Sequence, residues 1–470
     1  MEATDYLGPL SLVPASVAIL LAFITRNTIF SLAAACFVGV LVAGEGLIGF
    51  PRLLVGALGN EGFSWILLLE FFIGMLIAFF QRTGAIRNFT GFIERREMTR
   101  IRVQLIAWLM GMFVYFSDYF SPLFVGSTMR SLSDRYRVSR EKLAYICDST
   151  SAPVSILVPF TGWAVFVAGL TIGMGPIADA SDAIMLFIYG IPFNFYAMLA
   201  VLMVGAIAGN LLPDFGPMRR AEIRAQEEGK LVADGAQPLM SEDLTGIQPA
   251  QHVQTSLFWN FVFPVLLVIG CALGAVIITS SAKPMEAFML AAFSSAIIMR
   301  LQGFSLNEIT DTAMTGIKGI MPAVIILAFA YALNDLSAAL NTADYVVSIT
   351  QVWLTPQLLP VLVFLITGAV AFSTGTSWGT YAIMVPIAIP LAFSFSGDQL
   401  SPLIYCTLAA VAGGGVFGDH CSPLSDTSIL ASTGAASDHM DHIKTQFPYA
   451  ASVGLISVIL YLLIGCGLQI

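Results

Sequence analysis

The chain has 470 residues, of which 57% are hydrophobic and 11% charged, and it carries a formal net charge of −9. Soluble domains carry about 25% charged residues, so a water-soluble globular protein is excluded and an integral membrane protein is indicated. The acidic balance itself says little, because many carboxylates sit in or beside apolar runs, and no nucleic-acid partner is expected. The six cysteines contain no CxxC pair, which argues against a disulfide framework and a zinc site. No Walker, HExxH or dinucleotide-binding sequence occurs, so neither enzymatic activity nor a cofactor is expected.

The N-terminus, MEATDYLG, lacks a basic leader region, so the first apolar run reads as a retained span. Spans are expected near Leu10–Ile24, Thr28–Phe50 and Gly62–Phe80. Glu70 lies in the third, where a polar interior and a structural hydrogen bond are equally open readings. Ile86–Arg102 is basic and amphipathic, which suggests an interfacial segment. The stretch 107–133 is broken at Ser117–Pro122, and each arm is shorter than the roughly 20 residues a spanning helix needs. A re-entrant helical hairpin fits it. A broken helix is expected over 143–170, interrupted by Asp148, Ser149, Thr150, Ser151 and Pro153. A long span follows at Ile184–Leu212. Pro213–Val253 is polar and reads as a cytoplasmic linker between a first membrane half, 1–212, and a second, 254–470.

In the second half, spans are expected near Ser256–Ile278 and Met285–Ile298, then an amphipathic connector at Ser305–Thr315 and an apolar run at Ile320–Leu333. A second hairpin covers 358–391, turning at FSTGTSWGT (Phe372–Thr380). A second broken helix covers 402–435, and the last span is Phe447–Leu468. In VAGGGVFGDHCSPLSDTS, Gly413, Gly414 and Gly415 are expected to loosen the backbone, and Gly418 and Pro423 bracket Asp419, His420, Cys421 and Ser422. Glycine costs a helix about 1 kcal/mol and an interior proline roughly 3. Broken backbone and carboxylates survive in hydrocarbon where they line a cavity or an ion path, so this break reads as a cation site. A polar extramembrane loop is the bland alternative.

The halves resemble each other. FSDYFS (Phe116–Ser121) lines up with FSTGTS (Phe372–Ser377), and DSTSAP (Asp148–Pro153) with DHCSP (Asp419–Pro423), in the same order. With the N-terminus outside and both hairpins returning to the side they left, only Arg52 and Lys283 of the 21 Lys and Arg fall outside. That asymmetry obeys the positive-inside rule and inverts the two halves. Inverted repeats with broken helices are a design of secondary transporters.

GDHCSPLSDTSILASTGA (Gly418–Ala435), STGTSWGTYAIMVPIA (Ser373–Ala388) and SREKLAYICDSTSAPV (Ser139–Val154) closely resemble signatures of the NhaC family of sodium/proton antiporters. The resemblance covers nearly the whole chain. It implies an all-α polytopic bacterial-type inner-membrane protein with a scaffold domain and a transport domain that holds two hairpins and two broken helices. A homodimer in lipid and elevator-like motion are implied with it. Some family members resemble carriers of small organic acids.

Sodium prefers hard oxygen ligands, which helix breaks supply from carbonyls and hydroxyls. The candidates are Asp148, Ser149 and Thr150 in the first break, and Asp419, Ser422 and Thr427 in the second. The hairpin tips add Asp118, Ser121, Ser373, Thr374, Thr376 and Ser377. Asp148, Ser149, Asp419 and Ser422 are the expected sodium ligands. A hydroxyl's ordinary alternative is to bond its own helix backbone. Asp419, then Asp148, is the expected coupling carboxylate at which sodium and a proton compete. Asp118 and Asp426 either share that role or cap half-helices. His420 is a candidate pH sensor or a structural hydrogen-bonder, and Trp163 and Trp378 are expected to pack the transport domain. The expected function is sodium/proton antiport. The rivals are a sodium- or proton-coupled carrier of a small organic acid or amino acid, and a channel. Single cysteines introduced into Pro213–Val253 are expected to be shielded from impermeant thiol reagents added outside intact cells; labelling from outside would reverse the orientation.

Overall fold

The computed structural model describes residues 7–25, 27–85, 88, 98–115, 118–159, 161–239, 247–279, 283–342, 345, 355–397 and 399–467. Phe116 and Ser117 of the first tip, Arg26, most of the expected interfacial segment and the first six residues lie outside them. The described chain is predominantly helical and contains no strand, only one bridge between Pro238 and Asp438. Twenty α-helices carry the argument: α1 (Val13–Thr25), α2 (Thr28–Val42), α3 (Gly46–Leu58), α4 (Glu61–Arg82), α5 (Arg100–Phe113), α6 (Phe120–Arg135), α7 (Arg140–Ser149), α8 (Ala152–Ser155), α9 (Gly162–Gly169), α10 (Ala180–Gly190), α11 (Phe195–Ala208), α12 (Gly216–Ile223), α13 (Phe263–Thr279), α14 (Pro284–Leu301), α15 (Leu306–Ala339), α16 (Leu359–Thr374), α17 (Ser377–Ser396), α18 (Pro402–Cys421), α19 (Asp426–Ala435) and α20 (His439–Gly467).

Among the described residues, α17, α18 and α20 are long and apolar enough to cross a membrane; two bent helix pairs raise the total to five. One pair bends by 51° at Asn194, inside the expected span 184–212. The other bends by 47° between Met321 and Val324, where the sequence has Pro322, and merges the expected connector and the run after it into α15. The expected span Thr28–Phe50 is two helices, α2 and α3, separated by a turn at Ala43–Glu45.

The main correction concerns the glycines of α18. They do not loosen it: the helix runs unbroken from Pro402 to Cys421. Gly414 and Gly418 stand one turn apart on the face that meets α16. A Cβ at Gly414 would lie 2.6 Å from the Phe364 carbonyl oxygen, and one at Gly418 would lie 2.4 Å from that of Gly368. Small residues at this spacing let two helix backbones touch, and lipid-phase packing rewards that contact. The break itself starts at Ser422, and Pro423 has no N–H to continue the ladder. Ser425 then caps α19 through the Ser428 N–H. Gly375, with φ 74°, turns α16 into α17 so closely against this break that a Cβ would lie 2.5 Å from the Leu424 carbonyl oxygen.

Buried apolar side chains form two large cores. One joins α1–α7, α12–α15 and α19, the other joins α8–α10 and α16–α18, and α11 and α20 contribute to both. Each broken helix changes core at its break: α7 belongs to the first and α8 to the second, whereas α18 belongs to the second and α19 to the first. The polar breaks therefore sit where the two cores meet.

The segment after Pro213 is no free connector. Lys142, buried on α7, pairs with Asp214. Glu222 on α12 accepts the Ser139 N–H at 2.8 Å and pairs with Arg100. Arg224 bonds Glu141 at 2.7 Å. Farther along, Leu231 accepts the Arg140 N–H, the Gln237 N–H bonds Asp438, and Leu239 donates to the Ser437 carbonyl. The segment thus straps the start of α7 to the α19–α20 junction.

Gly418→Ala is expected to destabilise the purified protein by about 1–3 kcal/mol, because the added methyl meets backbone that has no room to yield. Thermal melting in detergent against the parent reads this out, and an unchanged melting curve would contradict the close α16–α18 contact.

Candidate ion site at two broken helices

Asp148 is the penultimate residue of α7 and Asp419 the third from the end of α18; both are fully buried. A helix C-terminus carries unpaired carbonyls and about half a negative charge. Two such ends and two carboxylates thus attract a cation at the junction of the cores.

The two carboxylates are held differently. Asp148 Oδ2 accepts Ser428 Oγ at 2.8 Å and Gln446 Nε2 at 2.6 Å, and His442 Nε2 lies 3.4 Å away. Both Ser428 and Gln446 also reach the end of α18. Ser428 Oγ is 3.4 Å from the Asp419 carbonyl oxygen, and Gln446 Nε2 donates to the His420 carbonyl at 3.1 Å. The two breaks are therefore tied together through side chains of α19 and α20. Asp419, by contrast, makes no well-formed hydrogen bond through either carboxylate oxygen among the described residues. The Ser377 hydroxyl, at the N-terminus of α17, is its polar neighbour, and Asp148, Asp118 and Asp426 lie within electrostatic reach.

Asp118 sits in the turn between α5 and α6, buried, and its Oδ2 accepts the Trp378 indole N–H at 3.3 Å. Trp163, on α9, meets Trp378 at a tilted angle with ring centres 5.1 Å apart, so the two tryptophans pack α9 against the start of α17. Asp426 opens α19, accepting the Thr427 N–H at 2.8 Å and the Tyr119 hydroxyl at 2.8 Å. Its position in the first turn is that of a helix-end carboxylate.

Most of the candidate hydroxyls serve backbone. Thr150 donates to the Ile146 carbonyl, and Ser373 and Thr374 to that of Val370. Thr376 caps α17. Ser422 donates to the Phe372 carbonyl at 2.7 Å and accepts the Leu424 N–H, which pins the second break to the second hairpin tip. Thr427 pairs with Ser425. Ser149 is buried beside Asp148. Of the candidate hydroxyls, Ser121 and Ser377 are buried without a well-formed hydrogen bond among the described residues, and Ser377 stands beside the Asp419 carboxylate. His420 is buried, with Nδ1 3.1 Å from the Tyr196 hydroxyl and Nε2 without a partner. Among the described residues no group of three or more His, Cys, Asp or Glu side chains is arranged to hold a metal ion, so any cation shell here draws on hydroxyl, amide and carbonyl oxygens as well.

Several site residues escaped the sequence reading: Ser428, Tyr119, Tyr196 and the α20 side chains His439, His442 and Gln446. His439 Nε2 lies 2.9 Å from the Pro423 carbonyl, closing a hydrogen bond on the broken backbone. A signal was present. Residues 439, 442 and 446 recur at helical spacing, a polar stripe on one face just before the last apolar run.

A predominantly helical chain with helices long and apolar enough to span a membrane, and buried carboxylates at two helix ends, has the build of an integral membrane secondary transporter. The chain belongs to the Na+/H+ antiporter family, whose model matches residues 163–466 and so includes Asp419 and Asp426. A Haemophilus influenzae protein described as uncharacterized is 33% identical over 501 residues, covering 99% of this chain and 92% of its own length. Two antiporters match in part. The arginine/ornithine antiporter ArcD of Halobacterium salinarum is 30% identical over 37% of this chain and 35% of its own. The malate-2H(+)/Na(+)-lactate antiporter of Bacillus subtilis is 24% identical over 43% of each chain.

Proposed function

We propose that the protein exchanges sodium for protons across a bacterial inner membrane, with Asp419 as the coupling carboxylate and Asp148 beside it. The observation that carries this reading is the carboxylate of Asp419: fully buried at a helix C-terminus, with the Ser377 hydroxyl beside it and no ion pair among the described residues. An isolated buried charge costs several kcal/mol, so this group is neutralised by a proton or by a cation. No Lys or Arg lies in either break to do it instead. Proton and sodium then compete for one position, and the empty, ionised site does not cross. That competition yields exchange with no separate coupling device.

The reading extends to the architecture. We take 1–212 and 254–470 as inverted halves around a cytoplasmic linker, each with a re-entrant hairpin, α5–α6 and α16–α17, and a broken helix, with the N-terminus outside. The crossing of the broken helices between two cores supports a repeat of this kind. It suits a transport domain moving against a scaffold in a homodimer. Sodium is held by Asp148, Asp419 and Ser149, with Ser422, whose hydroxyl bridges break and hairpin, acting at the edge of the shell.

A second reading, exchange of small organic acids or amino acids, is favoured by the partial relatives named for arginine and ornithine and for malate and lactate. Both readings are tested in proteoliposomes containing a pH dye, with Na+, K+, malate, lactate and arginine added separately. Sodium alone is expected to move protons, and Asp419→Asn to abolish that movement in a protein that still folds and inserts. The apparent KM for Na+ is expected to fall roughly tenfold per pH unit in the acid range, as one-to-one competition requires, and to level off above it. A KM constant over two pH units, or a response to an organic substrate only, would overturn sodium/proton exchange.

A further inference from the structure

We propose that Gln446 is a positioning residue and an additional oxygen ligand of the transported cation, an assignment that rests on Asp148 and Asp419 being the ion-binding carboxylates. Gln446 lies on α20, in neither broken helix and neither hairpin, and is fully buried. Its amide nitrogen lies 2.6 Å from Asp148 Oδ2 and 3.1 Å from the His420 carbonyl oxygen. Both neighbours are acceptors, so this amide orientation is the one that avoids setting oxygen against oxygen. Both N–H groups are thereby used, one on each break. The remaining atom, Oε1, is buried and has no hydrogen-bond partner. Asp148 Oδ1 is in the same condition, and the Asp419 carboxylate makes no well-formed hydrogen bond among the described residues, with the Ser377 hydroxyl beside it. Native proteins rarely leave so many buried acceptors unmet in one place. A cation satisfies them together, whereas a proton satisfies one carboxylate.

The arrangement gives Gln446 two effects. Its N–H groups hold the Asp148 carboxylate at a fixed distance from the end of α18, so the two breaks present their oxygens as one set. Its Oε1 adds a neutral ligand, which changes the size and number of oxygens the cation meets without adding charge. Cation selectivity depends on that number and size.

The test uses the full-length protein in proteoliposomes, with Gln446→Ala and the near-isosteric Gln446→Glu. Gln446→Ala is expected to raise the apparent KM for Na+ about tenfold or more, the usual cost of removing a ligand-orienting partner. Maximal rate should stay within about twofold and the Li+/Na+ preference should change. A merely structural role would instead lower yield and maximal rate and leave both the KM and the Li+/Na+ ratio alone; that result overturns the proposal. If Gln446→Ala does not fold, Gln446→Glu decides by the Li+/Na+ ratio, because it keeps the side-chain volume but replaces the N–H donors and the neutral oxygen with a second carboxylate beside Asp148; an unchanged ratio overturns the proposal. Radioactive sodium binding to detergent-purified protein separates this proposal from the exchange reading. If the parent binds Na+ but moves no protons, exchange is wrong, and weaker Na+ binding by the variants still supports the role of Gln446. Equal binding by parent and variants overturns it, as does a parent that binds no Na+.

Discussion

A carboxylate sealed away from water, with the Ser377 hydroxyl beside it, is the constraint on which the rest of this molecule depends. Asp419 has that environment at the C-terminal end of α18. The contrast with Asp148 matters. One oxygen of Asp148 is held by Ser428, Gln446 and His442, so it is a fixed wall of the site. Asp419 is the unheld partner. Two helix C-termini deepen the same negative potential from their carbonyl ends, and the acids at the hairpin tip and the α19 start, Asp118 and Asp426, are answered locally by an indole and a phenol.

Keeping broken helices stable inside an apolar body requires that each freed backbone group find a partner. The molecule does this with side chains that reach across to neighbouring elements. Ser422 bonds the Phe372 carbonyl, His439 bonds that of Pro423, and Gln446 bonds that of His420. These bonds join the second break to the second hairpin and to α20. Close backbone approach does the rest: Gly414 and Gly418 bring α18 against α16 with no side chain between. Because each broken helix passes from one hydrophobic core to the other at its break, relative movement of the cores would be felt first at the carboxylates.

The strap formed by residues 214–239 reaches the same elements from one end. Buried Lys142 lies on α7 under two turns before Asp148, and its charge is matched by Asp214 and approached by Glu222. Buried pairs of this kind contribute less to stability than to a unique arrangement, since breaking one partner leaves an uncompensated charge. Tyr449 on α20 donates to the same Asp214 at 3.1 Å, so α7, α20 and the strap share one polar joint.

Composition alone determined that this is a membrane protein, because 11% charged residues cannot dress a water-soluble surface of this size. Local pattern located the two polar helix ends after Ser149 and Cys421, since proline and carboxylates within apolar runs are costly unless they line a site. It also singled out Asp148 and Asp419. The glycine run misled, because glycine has two uses, freeing backbone and admitting a neighbour, and only the tertiary structure shows that α16 occupies the space a Cβ would need at Gly414 and Gly418. The hydroxyls' partners were not legible for a similar reason: Thr150, Ser373 and Thr374 donate to the carbonyls of their own helices, which residue type does not reveal. The role of α20 was decided by tertiary structure alone. His439, His442 and Gln446 lie far in sequence from Asp148, and their helical stripe acquires a meaning only when α7, α18 and α19 fold against it and supply the acceptors.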